Sequence, residues 1–255
     1  MTVFETIAIA FGMFSVIPMP QTEWNRRNLR FVLCVFPLVG LMIGLCSWGL
    51  AAAAEALGLP PILRGVLLSL LPVFLTGGIH LDGFADTCDA RASHGSPEKR
   101  QKILRDPHTG AFAVIGLCGL FLLSAALWIC LPVFRPLPIL LLFCLSRTQS
   151  GLALVSLPVV PESSLAASFV ITEEKKRVRR FLTVLDVLLS AGLCFCGLSG
   201  VLTAAAAQLH GITYRRMSLR EFGGLSGDLA GWFLTTDELW MLAALVLGMY
   251  WEVQL

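Results

Sequence analysis

Four stretches of this chain, roughly Phe31 to Ala54, Ile62 to Ile79, Ala111 to Leu131 and Leu137 to Leu157, are almost unbroken runs of apolar residues. A helix of about 20 residues covers the hydrocarbon core of a bilayer, about 30 Å at 1.5 Å per residue. Backbone in that medium must satisfy its own hydrogen bonds, so helices are the expected form. Only 14% of the 255 residues are charged and 56% are hydrophobic. A soluble domain carries about a quarter charged residues. The chain therefore reads as one membrane-embedded domain over residues 1–255, an all-α, polytopic integral membrane bundle. A net charge of +2 gives no reason to expect a nucleic-acid partner.

The distribution of charge sets the expected topology. Most of the Lys and Arg residues fall into four groups: Arg26, Arg27 and Arg30; Arg91, Lys99, Arg100, Lys102 and Arg105; Lys175, Lys176, Arg177, Arg179 and Arg180; and Arg215, Arg216 and Arg220. Short basic loops mark the cytoplasmic side, so an even number of spans should separate each neighbouring pair. Phe181 to Gln208 is then expected to cross twice, turning near Gly197 to Gly200. A last apolar segment after Asp228 is interrupted by Asp237 and Glu238. The expected total is about seven spans in the cytoplasmic (inner) membrane. Residues 2–20 are apolar but lack a basic start, and read as a short membrane or interfacial helix retained in the protein. Seven of the eight cysteines lie in apolar runs and read as buried free thiols.

Against that background, residues 76–91 stand out: Thr-Gly-Gly-Ile-His-Leu-Asp-Gly-Phe-Ala-Asp-Thr-Cys-Asp-Ala-Arg. Asp82, Asp86 and Asp89 stand at i, i+4 and i+7, one face of a helix. Three carboxylates on one stripe repel each other unless a cation lies among them. Oxygen ligands of this kind suit Mg²⁺. Gly83 beside the first acid permits close approach of substrate or backbone, and His80 is a candidate ligand, phosphate contact or base.

Two further polar knots stand where the chain enters apolar runs. Asp106-Pro-His-Thr-Gly110 offers Asp106 as a metal ligand or base, and Ser96-Pro97 reads as the cap and first residue of a short helix before it. Gly223-Gly-Leu-Ser-Gly-Asp228 offers Asp228 as a ligand, while Gly223, Gly224 and Gly227 could present backbone N–H groups to a phosphate. Arg147 lies inside the fourth apolar run, where an Arg is a candidate phosphate contact or the partner of an acid such as Asp186.

Together these motifs resemble the cobalamin synthase family, the adenosylcobinamide-GDP ribazoletransferases. The resemblance covers nearly the whole chain: Phe14-Ser-Val-Ile-Pro-Met-Pro20, Phe36-Pro-Leu-Val-Gly40 with Ile43-Gly44, the signature Thr76 to Asp89, Ile103-Leu-Arg-Asp-Pro-His-Thr-Gly110, and Gly223 to Asp228, in order. Ala90 and Ala113 stand where Gly is usual, and Pro107-His108 where Ser-Arg is usual. The resemblance implies a Mg²⁺-dependent transferase acting late in cobalamin (vitamin B12) biosynthesis. It joins adenosylcobinamide-GDP to α-ribazole, or to α-ribazole 5′-phosphate, and releases GMP.

On this reading Asp82, Asp86 and Asp89, with Asp106 or Asp228, hold Mg²⁺. The ribazole 5′-hydroxyl attacks, one of His80, Asp89 or Asp106 takes its proton, and Arg147 holds the GMP phosphate. A homo-oligomer, or association with other enzymes of the pathway, is left open.

Two rivals make different demands. A CDP-alcohol phosphatidyltransferase needs D-x-x-D-G-x-x-A-R, yet no Asp lies three residues before Asp82. An ion-coupled transporter should place its acids near the bilayer midplane and show inverted repeats. Here the acids cluster at one boundary and no repeat is visible.

Overall fold

The structure, a computed structural model, describes residues 3–20, 22, 28–160 and 174–254. Arg26 and Arg27 of the first basic group lie outside the described residues. Ten helices are found among those described: α1 Val3–Phe14, α2 Val32–Ala56, α3 Pro61–Thr76, α4 Ile79–Ala92, α5 Pro97–Ile103, α6 Ala111–Cys130, α7 Pro136–Ser156, α8 Lys175–Cys194, α9 Leu198–Phe222 and α10 Gly227–Gln254. The only strand-like pairing among these residues is an isolated bridge between Val159 and Leu225.

Small residues set the closest helix contacts. On α2, Gly40 and Gly44 face α7: a Cβ at Gly40 would overlap the Phe143 carbonyl, and one at Gly44 would stand 2.9 Å from the Leu140 Cα. Two glycines four apart are the usual device for bringing helix backbones together in a membrane, where apolar surface alone does not favour association. The same contacts show α2 and α7 to be antiparallel. Pro61 and Pro136 open α3 and α7, where a missing N–H costs nothing. Ser96 caps α5, its hydroxyl accepting from the Lys99 N–H, as its sequence implies.

The second apolar run does not continue into the acidic helix. It stops at Thr76, and Gly77 and Gly78 follow with φ of +64° and +77°. These left-handed values turn the chain by 101° between α3 and α4. The polar α4 thus lies across one end of the bundle, packed against α6 and the start of α10. That end also collects Arg30, α5, the basic start of α8 and the arginines near the end of α9. The basic groups therefore share one end so far as they are described.

The opposite end is closed by Arg135, which pairs with Glu252. The Glu252 carboxylate also accepts from the Ser199 N–H at the turn between α8 and α9. Gly197, with φ +94°, makes that turn where parity requires a reversal.

α2, α6, α7 and α10 are long and apolar enough to cross a membrane, and the bent α3–α4 pair makes a fifth if taken as one span. This is fewer than the expected seven. α8 and α9 do run the length of the bundle and back. However, α8 opens on Lys-Lys-Arg and α9 carries His210 and three arginines, so neither is apolar enough to count. At 12 residues α1 is too short to span; it lays Ile9, Ala10 and Met13 against the core.

Asp237 and Glu238 do not break the last segment. α10 passes through both, because each meets a partner on a neighbouring helix: His210 Nδ1 lies 3.1 Å from Asp237, and Arg147 pairs with Glu238.

Candidate active site

The acids are brought together by two glycines. A Cβ at Gly83 of α4 would lie 2.6 Å from the Cα and carbonyl O of Asp228, and one at Gly231 of α10 would lie 2.9 Å from the His80 carbonyl. The two helices cross at these points with backbone on backbone. Asp228, 146 residues downstream of Asp82 by their numbers, thereby becomes its neighbour. Asp82 and Asp228 line one cavity of about 150 Å³ with His80, Ser150, Phe14 and Phe36. Asp86 lies within the electrostatic reach of Asp82, Asp228 and Asp89.

The Arg–Glu ion pairs among the described residues lie elsewhere: Arg91 and Arg100 on Glu221, Arg135 on Glu252, Arg147 on Glu238 and Arg177 on Glu174. Among the described residues, no basic side chain pairs with Asp82, Asp86 or Asp228.

Asp89 and Asp106 are placed differently. Asp89 turns both oxygens to the start of α6, accepting from the Gly110 N–H at 2.6 Å and the Ala113 N–H at 2.9 Å. It caps that helix from a distance, satisfying donors that a helix N-terminus leaves open. Asp106 is exposed in the loop after α5. The His108 ring lies 2.7 Å from it and the His108 backbone N–H donates at 3.0 Å; these bonds hold its carboxyl below the usual range. The structure does not bring Asp106 to the other acids.

His80 is half-buried beside the rings of Phe14 and Phe36, whose centroids lie 6.3 and 5.8 Å away. Its Nε2 has no hydrogen-bond partner among the described residues. It lines the acid cavity and a second, mainly apolar one of about 70 Å³ between α3, α6, α7 and α10. Arg147 and Glu238 lie on that second cavity. Arg147 is fully buried and committed to Glu238, with a further hydrogen bond to the Ser146 hydroxyl at 2.8 Å. Its sequence-level partner Asp186 instead accepts from Gln208 at 3.1 Å.

The three glycines of the 223–228 loop divide in role. Gly223 ends α9 with φ +71°, and Gly224 packs on the backbone of Pro158 and Val160. Gly227 faces open space on the acid cavity.

The donors suit Mg²⁺ in kind, since Asp82, Asp86 and Asp228 offer only hard oxygens. Among the described residues no three His, Cys, Asp or Glu side chains form a ready cage for an ion. Mg²⁺ commonly takes one or two carboxylates and completes its shell with water and substrate phosphates. Glu238 escaped the sequence reading, which took it only as an interruption. A lone Arg in one apolar run and an Asp-Glu pair in another were the available signal of a buried ion pair.

The model of the family described as cobalamin-5-phosphate synthase matches residues 6–246. Proteins named adenosylcobinamide-GDP ribazoletransferase are similar over nearly their whole length. That of Lachnoclostridium phytofermentans is 36% identical over 247 residues, covering 96% of this chain and 94% of the relative. That of Stutzerimonas stutzeri is 32% identical over 243 residues, covering 94% and 96%. That of Clostridium botulinum strain Eklund 17B is 30% identical over 240 residues, covering 92% and 94%. No solved structure matches the chain. With its signature acids on α4 and its last motif opening α10 beside them, this chain belongs to the cobalamin-5-phosphate synthase family.

Proposed function

We propose that the chain is a membrane-embedded transferase that joins adenosylcobinamide-GDP to α-ribazole or its 5′-phosphate, with GMP as the leaving group. The observation that carries this reading is the crossing of α4 and α10 at Gly83, which puts carboxylates from two distant motifs on one cavity. Acids gathered with no basic partner among the described residues suit a reaction whose substrate brings a pyrophosphate and its cation. Phosphoryl transfer asks for positioning and charge neutralisation more than covalent chemistry.

In the reaction, a ribose oxygen forms a bond to the phosphorus carried by cobinamide, and the bond from that phosphorus to the bridging oxygen of GMP breaks. The proton of the attacking hydroxyl leaves to a base. The attacker is a ribose hydroxyl other than the 5′ one, because a product called cobalamin 5-phosphate still carries its phosphate there; this corrects the expectation from sequence.

Asp82, Asp86 and Asp228 would hold Mg²⁺, which when bound neutralises the pyrophosphate. Asp89 serves instead to fix α6 against α4. Of the three candidate bases, His80 alone lines the cavity with Asp82 and Asp228, and its free Nε2 can take the proton. Gly227 leaves room for phosphate at the start of α10. Arg147, spent on Glu238, holds the wall behind His80 rather than the GMP phosphate. The acid-bearing end, which collects the basic groups so far as they are described, faces the cytoplasm of a multi-pass inner-membrane protein on this reading.

Purified protein in detergent, given adenosylcobinamide-GDP, α-ribazole and Mg²⁺, should release GMP and a joined corrinoid with no ion gradient present. Absence of product with folded protein, with the ribazole 5′-phosphate also tried, would reject the reading.

A further inference from the structure

A polar cavity of about 320 Å³ lies between α7, α8 and α9, on the other face of α7 from the acid cavity. Its wall holds two enclosed acceptor atoms, Gln149 Oε1 and Asp186 Oδ1, that make no direct hydrogen bond of good geometry among the described residues, although the Gln149 amide approaches the Asp186 carboxyl. Gln149 is only 7% exposed. The other Asp186 oxygen accepts from Gln208, which also donates to Ser190. That bond sets the register of the antiparallel α8 and α9. Arg179 precedes Asp186 by seven residues on α8, and Arg215 follows Gln208 by seven on α9. Both arginines line the cavity, and their backbone positions stand about 10 Å along the helices from those of Asp186 and Gln208, towards the acid-bearing end. Tyr214 and Phe233, with ring centroids 4.3 Å apart, form an aromatic wall.

The order matters. Cations at the mouth call for a phosphate there, and unpaired acceptors inside call for N–H donors. A phospholipid would arrive with its apolar tails on the inner side, so it presents the reverse order. A nucleotide presents this one, with its phosphate at one end and its base edge at the other. Among the bases, guanine carries two adjacent donors, a ring N–H and the 2-amino group, that one carboxylate can accept together. Adenine offers a donor beside an acceptor and would leave the carboxylate facing a lone pair.

The lining of this cavity is tied through the backbone to the acid-bearing loop. Leu157 at the cavity rim leads into Pro158, whose carbonyl accepts from the Leu225 N–H, three residues before Asp228.

We propose that this cavity is the guanosine subsite of the transferase, with Asp186 reading the base and Arg179 and Arg215 holding the adjacent phosphate. The proposal rests on the reaction assigned above. It is tested by binding of GMP, AMP and XMP to purified protein in detergent, compared between wild type and Asp186→Asn. Wild type should prefer GMP to AMP. The variant should lose about tenfold or more in GMP affinity and gain relative affinity for XMP, whose 2-carbonyl the new amide can meet. A merely structural role for Asp186 would not produce that exchange.

Unchanged GMP affinity and selectivity in Asp186→Asn, or wild type binding AMP as well as GMP, would overturn the subsite. Turnover of adenosylcobinamide-GDP by the same wild-type sample keeps the two ideas apart. Turnover without guanine selectivity sinks only the subsite, whereas no turnover and no nucleotide binding sinks both.

Discussion

At the residue scale, the acids of the signature perform two different tasks. Asp82 and Asp228 share a cavity and have no basic partner among the described residues, whereas Asp89 accepts from two backbone N–H groups. Asp82→Asn should therefore lower turnover by roughly 100-fold or more, with thermal stability unchanged or raised, because a repelling charge is removed. Asp89→Ala should act first on stability, costing about 1–2 kcal/mol as helix caps do, readable in a thermal melt. His80→Gln should lower kcat by about 100-fold if the imidazole is the base, with less effect on KM; turnover near the wild-type level would remove His80 from that role. The sequence shows the acids and their common stripe, because i, i+4, i+7 spacing fixes a helical face. It could not show that Asp89 turns aside to α6, since that contact depends on where the chain returns 21 residues later.

At the element scale, the site depends on how closely α4 and α10 approach. Gly83→Ala would drive a methyl group into the Asp228 backbone at 2.6 Å. Overpacking of this kind costs about 1–3 kcal/mol, and parting the two helices should lower activity beyond the loss of stability. An assay at low temperature, where the variant remains folded, separates the two effects. The Arg147–Glu238 pair ties α7 to α10 inside the bundle. Breaking a buried pair on one side costs about 3–5 kcal/mol, so Glu238→Gln should be the more damaging change and the double variant Arg147→Met, Glu238→Leu the milder. The apolar runs were legible as helices and nearly in their right bounds. The bend at Gly77–Gly78 and the continuity of α10 were not. The first depends on two left-handed glycines in succession, and the second on acids neutralised by residues remote in sequence.

At the scale of the whole molecule, membrane character follows from composition. The count of spans does not, because α8 and α9 run the length of the bundle with polar faces turned to a cavity rather than to lipid. The described basic groups, read from the sequence as one side, gather at one end, the end that also carries the acids. The central claim is that Asp82, Asp86 and Asp228 form the cation site of a phosphoryl transferase, with Asp106 outside it. The measurement that tests it most directly is the Mg²⁺ dependence of turnover in wild type, Asp82→Asn, Asp86→Asn, Asp228→Asn and Asp106→Asn. The account predicts that EDTA abolishes wild-type activity. It also predicts that the first three variants require far more Mg²⁺ or fail to turn over, while Asp106→Asn follows the wild-type curve. A wild-type Mg²⁺ curve for Asp82→Asn and Asp228→Asn, with the defect appearing in Asp106→Asn instead, would contradict it.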